Sequence, residues 1–283
     1  MRIIESVFEM QQTATAWRRE GRRIALVPTM GYLHEGHLSL ARAVRDRADA
    51  VVMSIFVNPV QFGPAEDFER YPRDLEHDVE LAKGAGVDVI FAPSVSGMYP
   101  EGFQTYVEVT GVTRPLCGRN RPVHFRGVTT VVTKLFNIVK PHAAIFGEKD
   151  YQQLVTIRRM AKDLNADIEI LGLPTVREPD GLAMSSRNKY LPAAQRQRAL
   201  RLSASLEKAQ ALLDSGERRG ERVLAEVRAT LGESEDMAID YAELRDPDTL
   251  DEVLEVQGPV LLALAVRFGA TRLIDNRVLQ LRS

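Results

Sequence analysis

The chain has 283 residues, of which 45% are hydrophobic and 27% charged, and its formal net charge is −2. This composition is typical of a globular protein with one large domain or two modest ones, and it argues against disorder. The charge argues against a general nucleic-acid binder, which usually carries a basic excess. The single cysteine, Cys117, excludes an intramolecular disulfide. Because we find no signal peptide and no apolar run of membrane-spanning length, we expect a cytoplasmic protein.

The first 176 residues alternate between apolar runs and amphipathic segments. Strands are predicted at 23–28, 50–57, 87–92, 142–146 and 167–173. Helices are predicted at 6–20, 37–48, 72–85, 128–139 and 151–164. This alternation predicts an α/β fold with a doubly wound parallel sheet, covered by helices on both faces. In such sheets, ligands bind beyond the carboxyl ends of the strands.

The pattern changes after about residue 176. Amphipathic helices are predicted over 192–213 and 217–231, followed by strands at 238–244, 259–267 and 271–281. We therefore predict an α/β domain over residues 1–176, which the motifs below identify as nucleotide-binding, and a smaller α+β domain over residues 177–283.

Two histidines stand where the first buried strand passes into a helix. The apolar run 24–27 is followed by a glycine turn, and then by His34 and His37 at the opening of the helix. Unpaired N–H groups at a helix start attract phosphate, and imidazoles three residues apart face the same side. Gly36 between them allows a base or phosphate to approach the backbone. The H-x-G-H pattern is typical of nucleotidyl-transferring α/β proteins; the alternatives are surface caps or a zinc site, whose H-E-x-x-H pattern needs histidines four residues apart.

Three further segments carry polar side chains near predicted strand ends or the domain junction. Asn58 and Gln61 follow the second strand, where Pro59 makes a turn, and their amides suit hydroxyl, carboxylate and amine recognition. After the fourth strand, Lys149 offers charge to a phosphate, and Asp150 either caps the next helix or holds Mg²⁺ through water. Gln153 is expected to face the same crevice as Gln61.

The third segment, 184–188, places two serines and an arginine at the domain junction, where they match phosphate oxygens and are expected to act as a mobile clamp. A solvated turn is the alternative for this segment and for the turn at Asn58. Arg121 belongs to a local basic patch that suits an anionic substrate or is simply a solvated loop. Asp78 lies in an acidic stretch that reads mainly as a solvated helix face, with metal positioning as the alternative.

Taken in order, these segments resemble the bacterial pantoate–β-alanine ligase family from end to end. The matching stretches are 27–37, 56–62, 70–78, 121–128, 146–154, 174–191 and 275–279. The resemblance implies a Rossmann-like fold of the cytidylyltransferase-like superfamily. It implies condensation of (R)-pantoate with β-alanine through a pantoyl adenylate, with ATP yielding AMP and diphosphate. It also implies Mg²⁺ as cofactor and a homodimer, with no nucleic-acid or membrane partner.

The resemblance also implies roles for individual residues. His37 would be the proton donor, with His34, Lys149 and Arg187 as the other catalytic groups. Gln61 would contact pantoate and β-alanine, Gln153 would bind pantoate, and Arg121 would lie near the triphosphate or pantoate. From its place at the strand end, we expect Asn58 to bind substrate as well. From its place at the helix start, and not from the resemblance, Asp150 is the carboxylate that we expect beside the metal. The nucleotide would be bordered by Met30, Gly31, Tyr32, Leu33, His34, Glu35, Gly36, His37, Gly147, Glu148, Lys149, Asp150, Val176, Met184, Ser185, Ser186 and Arg187.

One departure from the family pattern is visible. The segment expected as R-P-G-H-F has Val123 in place of glycine, so a positive φ is disfavoured there. Three other functions compete with the ligase. They are a nucleotidyltransferase joining AMP to a phosphate, an RNA-charging synthetase, and a non-enzymatic nucleotide-binding module. The charge and the short second domain argue against the synthetase, and the intact motifs argue against the module.

Overall fold

The computed structural model describes residues 1–64 and 66–281, and it divides into two compact units. The first unit comprises Met1–Glu148 and Thr156–Pro174, and the second comprises Lys149–Val155 and the chain from Thr175 onward. The second unit thus takes in a short segment that the sequence analysis assigns to the first domain. The boundary between residues 176 and 177 stays a prediction.

The first unit contains a six-stranded parallel sheet, which confirms the predicted α/β fold. Its strands are β1 (Arg2–Ile4), β2 (Ile24–Thr29), β3 (Ala50–Ile55), β4 (Val89–Phe91), β5 (Ala143–Gly147) and β6 (Glu169–Leu173). They lie in the order β1-β4-β3-β2-β5-β6, and every pairing is parallel. The strand β1 was not predicted, because Arg2–Ile4 contains only two apolar residues, whereas the equally short β4 lies within the longer, mainly apolar run 87–92.

Helices connect these strands. They are α1 (Val7–Arg19), α2 (Glu35–Arg45), α3 (Leu75–Gly84), α4 (Val95–Met98), α5 (Cys117–Asn120), α6 (His124–Val139) and α7 (Tyr151–Asp163). Local sequence explains their starts: Ser6 accepts a hydrogen bond from the Glu9 N–H at 3.3 Å, and Asp74 accepts one from the His77 N–H at 3.1 Å. The helix predicted over 128–139 begins earlier, at His124. The sequence did not reveal this start, because Val123 offers no capping side chain.

The core of the parallel sheet follows from strand composition. The residues of β2 are buried except for partly exposed Pro28, as expected for a central strand covered on both faces. Helix α2 adds Leu38, Ala41 and Val44 to this core at helical spacing. The chain runs outward from β2 through β3 to β4, and then returns to place β5 on the other side of β2. The carboxyl ends of β2 and β5 therefore flank the point where the winding reverses.

The second unit is a smaller α+β arrangement, as predicted. Its sheet is antiparallel in the order β7-β8-β9, with strands β7 (Met237–Arg245), β8 (Val260–Phe268) and β9 (Thr271–Leu279). Its helices are α8 (Ala193–Ala199), α9 (Arg201–Asp214) and α10 (Gly220–Leu231). The single helix predicted over 192–213 is thus interrupted at Leu200, although the backbone of that residue stays helical. In residues 1–64 and 66–281, no helix is both long and apolar enough to cross a bilayer.

Candidate active site

The turn that follows β2 is held by a buried carboxylate from another helix. Gly31 has φ +80° and Tyr32 has φ +49°, so the backbone doubles back immediately after the strand. The Asp78 carboxylate in α3 accepts hydrogen bonds from the backbone N–H groups of Tyr32, at 2.8 Å, and Leu33, at 2.6 Å. A Cβ on Gly31 would lie 2.9 Å from the Asp78 Oδ2. Glycine is therefore required where the carboxylate meets the turn.

Asp78 is only 1% exposed, so its environment controls its ionisation. Burial raises the pKa of this carboxyl above its ordinary value, while the two backbone hydrogen bonds act to lower it. The expectation of a solvated helix face is wrong for Asp78, since the side chain points into the protein. A signal for this existed in the sequence, because Asp78 shares a helix face with Ala82 and lies four residues before it.

His34 and His37 face each other at the start of α2, as their spacing predicts. Their rings stack with centroids 4.0 Å apart and planes inclined by 26°. The backbone N–H of His34 donates to His37 Nδ1 at 3.3 Å, so this ring nitrogen acts as an acceptor. In the neutral ring the proton must then sit on Nε2, which makes that atom a donor.

Hydrogen bonds also connect the end of β2, the turn that follows it and the first turn of α2. Glu35 is engaged by Arg42 farther along the helix, and the Gly36 carbonyl accepts from the Ser39 hydroxyl at 2.9 Å. Thr29 at the end of β2 donates to the Ser54 carbonyl at 2.6 Å and accepts from the Gly31 N–H at 3.2 Å. The end of β2, the glycine turn and the helix start therefore form one connected frame.

A second turn, which follows β3, brings Gln61 into contact with the turn that follows β2. Asn58 begins a short 3-10 helix over Pro59–Gln61 and is 1% exposed, while Gln61 is 7% exposed. The Gln61 Nε2 lies 3.1 Å from the Met30 sulfur, to which it donates. Two candidate residues predicted from separate motifs, Met30 and Gln61, are thus in contact.

The backbone of Gln61 is fixed by the segment before α6 and by α6 itself. Its carbonyl accepts from His124 Nδ1 at 3.0 Å and from Arg121 Nη2 at 3.4 Å. Arg121 also makes a two-armed ion pair with Glu66, both arms 2.6 Å long. Its guanidinium therefore already has an acidic partner. Val123, the departure from the family pattern, adopts φ −93°, so no glycine is needed there.

The turn after β5 contains the lysine motif. Gly147 ends the strand, and a Cβ there would meet nothing within 4 Å. Glu148–Asp150 form a 3-10 turn ahead of α7, in which Gln153 is partly buried. In the second unit, the Lys149 ammonium lies 3.8 Å from the half-exposed Asp150 carboxylate. The Lys149 carbonyl accepts from Asn276 Nδ2 at 2.8 Å, which gives a structural role to the motif at 275–279.

The serine–arginine segment belongs to a hairpin of the second unit. The Met184 N–H donates to the Val176 carbonyl at 2.9 Å. Ser185 precedes the 3-10 helix Ser186–Tyr190, and its hydroxyl accepts from the Arg187 N–H at 3.2 Å. The hairpin is anchored by Arg177, which binds both oxygens of the buried Asp275 at 2.7 and 2.9 Å.

Several of these supporting residues were not identified from the sequence. Glu66 pairs with Arg121, the Tyr99 hydroxyl donates to Asn58, and Asn276 donates to the Lys149 carbonyl. These partners are 41 to 127 positions apart, and local patterns do not report such contacts. Asn276 lay within a recognised motif without an assigned role.

Comparisons with known proteins show the family to which the chain belongs. The family model described as pantoate-beta-alanine ligase matches residues 2–278. A pantothenate synthetase of Syntrophobacter fumaroxidans is 66% identical over 280 residues, covering 99% of each chain. One from Geobacter sulfurreducens is 61% identical over 279 residues, again covering 99% of each.

Solved structures show the same fold. The crystal structure of pantothenate synthetase from Thermus thermophilus matches with a TM-score of 0.93 and 46% identity, covering 98% of this chain and 99% of that one. A Francisella tularensis pantoate-beta-alanine ligase, complexed with beta-gamma ATP and beta-alanine, matches with a TM-score of 0.80 and 33% identity, covering 98% and 97%. The chain belongs to the pantoate–β-alanine ligase family.

Proposed function

We propose that this ligase joins (R)-pantoate to β-alanine in two steps, through a pantoyl adenylate, and releases AMP and diphosphate from ATP. The observation that carries the proposal is the stacked His34–His37 pair at the start of α2, beside the reversal point of the sheet. The Francisella relative, crystallised with an ATP compound and β-alanine, supports the same substrates for this chain.

The two steps follow from the chemistry of amide formation. A carboxylate oxygen is a poor leaving group, so the β-alanine amine cannot expel it directly. Attack of the pantoate carboxylate on the α-phosphorus of ATP breaks the bond to diphosphate and forms a mixed anhydride. The neutral amine then attacks the acyl carbon and expels AMP. The protein contributes alignment and stabilisation of the charge that develops on phosphate.

His37 is the residue of the first unit best placed for that charge. Because its Nδ1 accepts from the backbone, Nε2–H is the ring atom that would donate to a phosphate oxygen. The N–H groups at the start of α2 add partial positive charge at the same place. His34, stacked on His37, completes the pair. The turn from Met30 to Leu33 would border the nucleotide, and Gln61, in contact with Met30, would bind the acid.

The remaining candidate residues extend this proposal. Lys149 and Arg187 would supply further positive charge to the phosphates, Gln153 would bind pantoate, and Ser185 and Ser186 would close with Arg187 as a clamp. Gly147, which borders open space, would leave room for the nucleotide.

Mg²⁺ fits this donor set as a phosphate-bound ion. Among residues 1–64 and 66–281, no group of three or more histidine, cysteine, aspartate or glutamate side chains could hold a metal by itself. Mg²⁺ normally keeps several waters and binds one or two carboxylates together with substrate phosphates. The half-exposed Asp150 would provide such a carboxylate. When bound, the ion would neutralise charge on the triphosphate. A homodimer in the cytoplasm completes the proposal.

The proposal is tested by exchange of labelled diphosphate into ATP. Exchange should require pantoate and Mg²⁺ but not β-alanine, since only the first step is reversed. His37→Ala should slow exchange by on the order of a hundredfold, as expected for loss of one positioned donor. Exchange independent of pantoate would assign another acid. No exchange by folded protein, or ADP rather than AMP as product, would refute the adenylate.

Two matched variants test the atom assigned to His37. The His37→Gln amide reaches the place of Nε2, whereas the shorter His37→Asn amide reaches only that of Nδ1. If donation from Nε2 matters, the glutamine variant should keep more exchange activity than the asparagine variant. Equal losses in the two would contradict the assignment.

A further inference from the structure

The side chain of Asn58 is enclosed by four hydrogen-bonding partners. Its Nδ2 donates to the Gly127 carbonyl and to Gln61 Oε1, each at 3.1 Å. Its Oδ1 accepts from the Tyr99 hydroxyl at 2.8 Å and from the Val60 N–H at 3.4 Å. An amide offers two donor hydrogens and two acceptor lone pairs, so these four contacts use the whole side chain. At 1% exposure, Asn58 has no capacity left for a substrate.

The orientation of this amide is fixed by groups that have only one polarity. The Gly127 carbonyl can only accept, and the Val60 N–H can only donate. Turning the Asn58 amide over would set its oxygen against the carbonyl and its N–H₂ against the N–H. A buried polar group loses much more from such mismatches than an exposed one. Asn58 therefore always offers its N–H₂ to Gln61.

That orientation determines which end of Gln61 remains for a ligand. Because Gln61 Oε1 is the acceptor for Asn58, its Nε2 is the end that lies beside Met30, at 3.1 Å from the sulfur. A thioether sulfur is a weak acceptor that a better one readily replaces. Gln61 thus presents N–H donors, which suit the carboxylate and hydroxyl oxygens of an acid and do not suit an ammonium group.

Tyr99 is the distal end of this chain of hydrogen bonds. Its ring packs edge-on against Phe103, with centroids 4.9 Å apart, and lies 6.2 Å from Phe56, so its position is set by aromatic neighbours. Burial raises the pKa of the Tyr99 phenol, which therefore keeps its proton and remains a donor. Its bond to Asn58 is the shorter of the two that reach Oδ1.

We propose that Tyr99 is a positioning residue for the acid substrate: through Asn58 it holds Gln61 with its N–H₂ end toward the acid oxygens. The inference deepens the proposed function and rests on the role of Gln61 as an acid-binding residue. Without the phenol, the Asn58 oxygen keeps only the long contact to Val60, so Asn58 is held less tightly and Gln61 is placed less precisely against the acid.

The test is Tyr99→Phe, which removes one oxygen and keeps the packed ring. In diphosphate exchange, the pantoate concentration for half-saturation should rise about three- to tenfold, as for loss of one hydrogen bond. The ATP concentration for half-saturation should not change, because the hydrogen bonds from Tyr99 lead to Gln61, which would bind pantoate and not the nucleotide. Tyr106→Phe is the control, since Tyr106 packs in the same aromatic row, against Phe103 and under Arg126. An unchanged pantoate requirement in Tyr99→Phe, or an equal rise in the control, would overturn the proposal.

A double-mutant cycle with Gln61→Ala separates the role of Tyr99 from that of Gln61. If Tyr99 acts through Gln61, Tyr99→Phe should add nothing to the pantoate requirement once the glutamine is gone. An undiminished effect in that background would refute the chain of hydrogen bonds while leaving Gln61 as the acid site. If Gln61→Ala alone leaves the pantoate requirement unchanged, the site assignment itself fails, and the role of Tyr99 fails with it.

Discussion

The turns that follow β2 and β3 are each held by a carboxylate from outside the turn, but the two carboxylates work differently. Asp78 is 1% exposed and binds two backbone N–H groups of the first turn directly. Glu66 is partly exposed and pairs with Arg121, which contacts the Gln61 carbonyl. The first turn is therefore fixed by one buried charge, and the second by a partly exposed ion pair together with neutral amides.

The difference appears in the ionisation of the two groups. Burial raises the pKa of Asp78 despite its two N–H donors. Burial also acts to raise the pKa of Glu66, but the hydrogen bonds and charge of Arg121, the Gly63 N–H and the charge of His124 together outweigh it, so that pKa lies below its ordinary value. The first turn thus holds a carboxylate at an energetic cost, whereas the second draws stability from ionisation. Because the first turn leads directly into the start of α2, where phosphate would bind, its rigidity is expected to matter most for adenylation.

The largest effect is expected from adding a side chain where helix α6 packs closely against the second turn. A Cβ on Gly127 would lie 2.5 Å from the Gln61 Cα and 2.6 Å from the Val60 carbonyl carbon, and neither backbone atom can rotate away. Gly127→Ala should therefore destabilise the protein by about 3 kcal/mol and raise the pantoate requirement more than tenfold. Thermal unfolding and diphosphate exchange measure the two effects.

The matched control for this variant is Gly84→Ala, at the end of α3, where a Cβ meets nothing within 4 Å. That substitution should leave exchange unchanged and be neutral or slightly stabilising, because alanine is the better helix former. If Gly127→Ala proves as harmless as Gly84→Ala, the second turn is not held against α6.

A smaller effect is expected from altering the buried charge under the first turn. Asp78→Asn keeps one acceptor oxygen but turns N–H₂ toward a backbone N–H, so one of the two bonds is lost. We expect a loss of about 1–3 kcal/mol in stability and slower diphosphate exchange, with little change in the pantoate requirement. Urea unfolding and exchange rates at saturating pantoate provide the measurements.

Asp74→Asn on the same helix is the control, since asparagine and aspartate cap helices about equally well. If both variants unfold at the same urea concentration and exchange at the same rate, Asp78 does not hold the turn.

The frame of the site was predictable from the sequence, but its supports were not. The apolar run of β2 and the glycine turn with two spaced histidines are local patterns, so strand, turn and helix follow directly from them. Asp78 lies 45 residues from Leu33, Tyr99 lies 41 from Asn58, and Arg121 lies 55 from Glu66. Such pairings depend on how the strands are ordered, which periodicity does not encode. Among these residues, Asp78 alone could have been identified from a local pattern, because it is an acid on the apolar face of its helix.

The smallest predicted effect concerns Glu66 and depends on pH. Since its folded-state pKa lies below the ordinary value of 4.5, the stability it contributes is present above about that pH. The contribution is lost as the pH falls through the lower, folded-state pKa. Because both side chains of the pair are 20–26% exposed, Glu66→Gln should cost only about 1 kcal/mol at neutral pH. The gap between variant and parent in the free energy of unfolding should then close as the solution is acidified.

Glu69→Gln controls for the general loss of a surface charge, because Glu69 is exposed on the same segment. Urea unfolding of the three proteins at a series of pH values gives the comparison, and only the Glu66 variant should show a gap that closes in acid. If its gap is constant with pH, the ion pair does not stabilise the second turn through ionisation. The neutral amides around Asn58 would then hold that turn alone, and the two turns would differ in charge altogether rather than in where the charge lies.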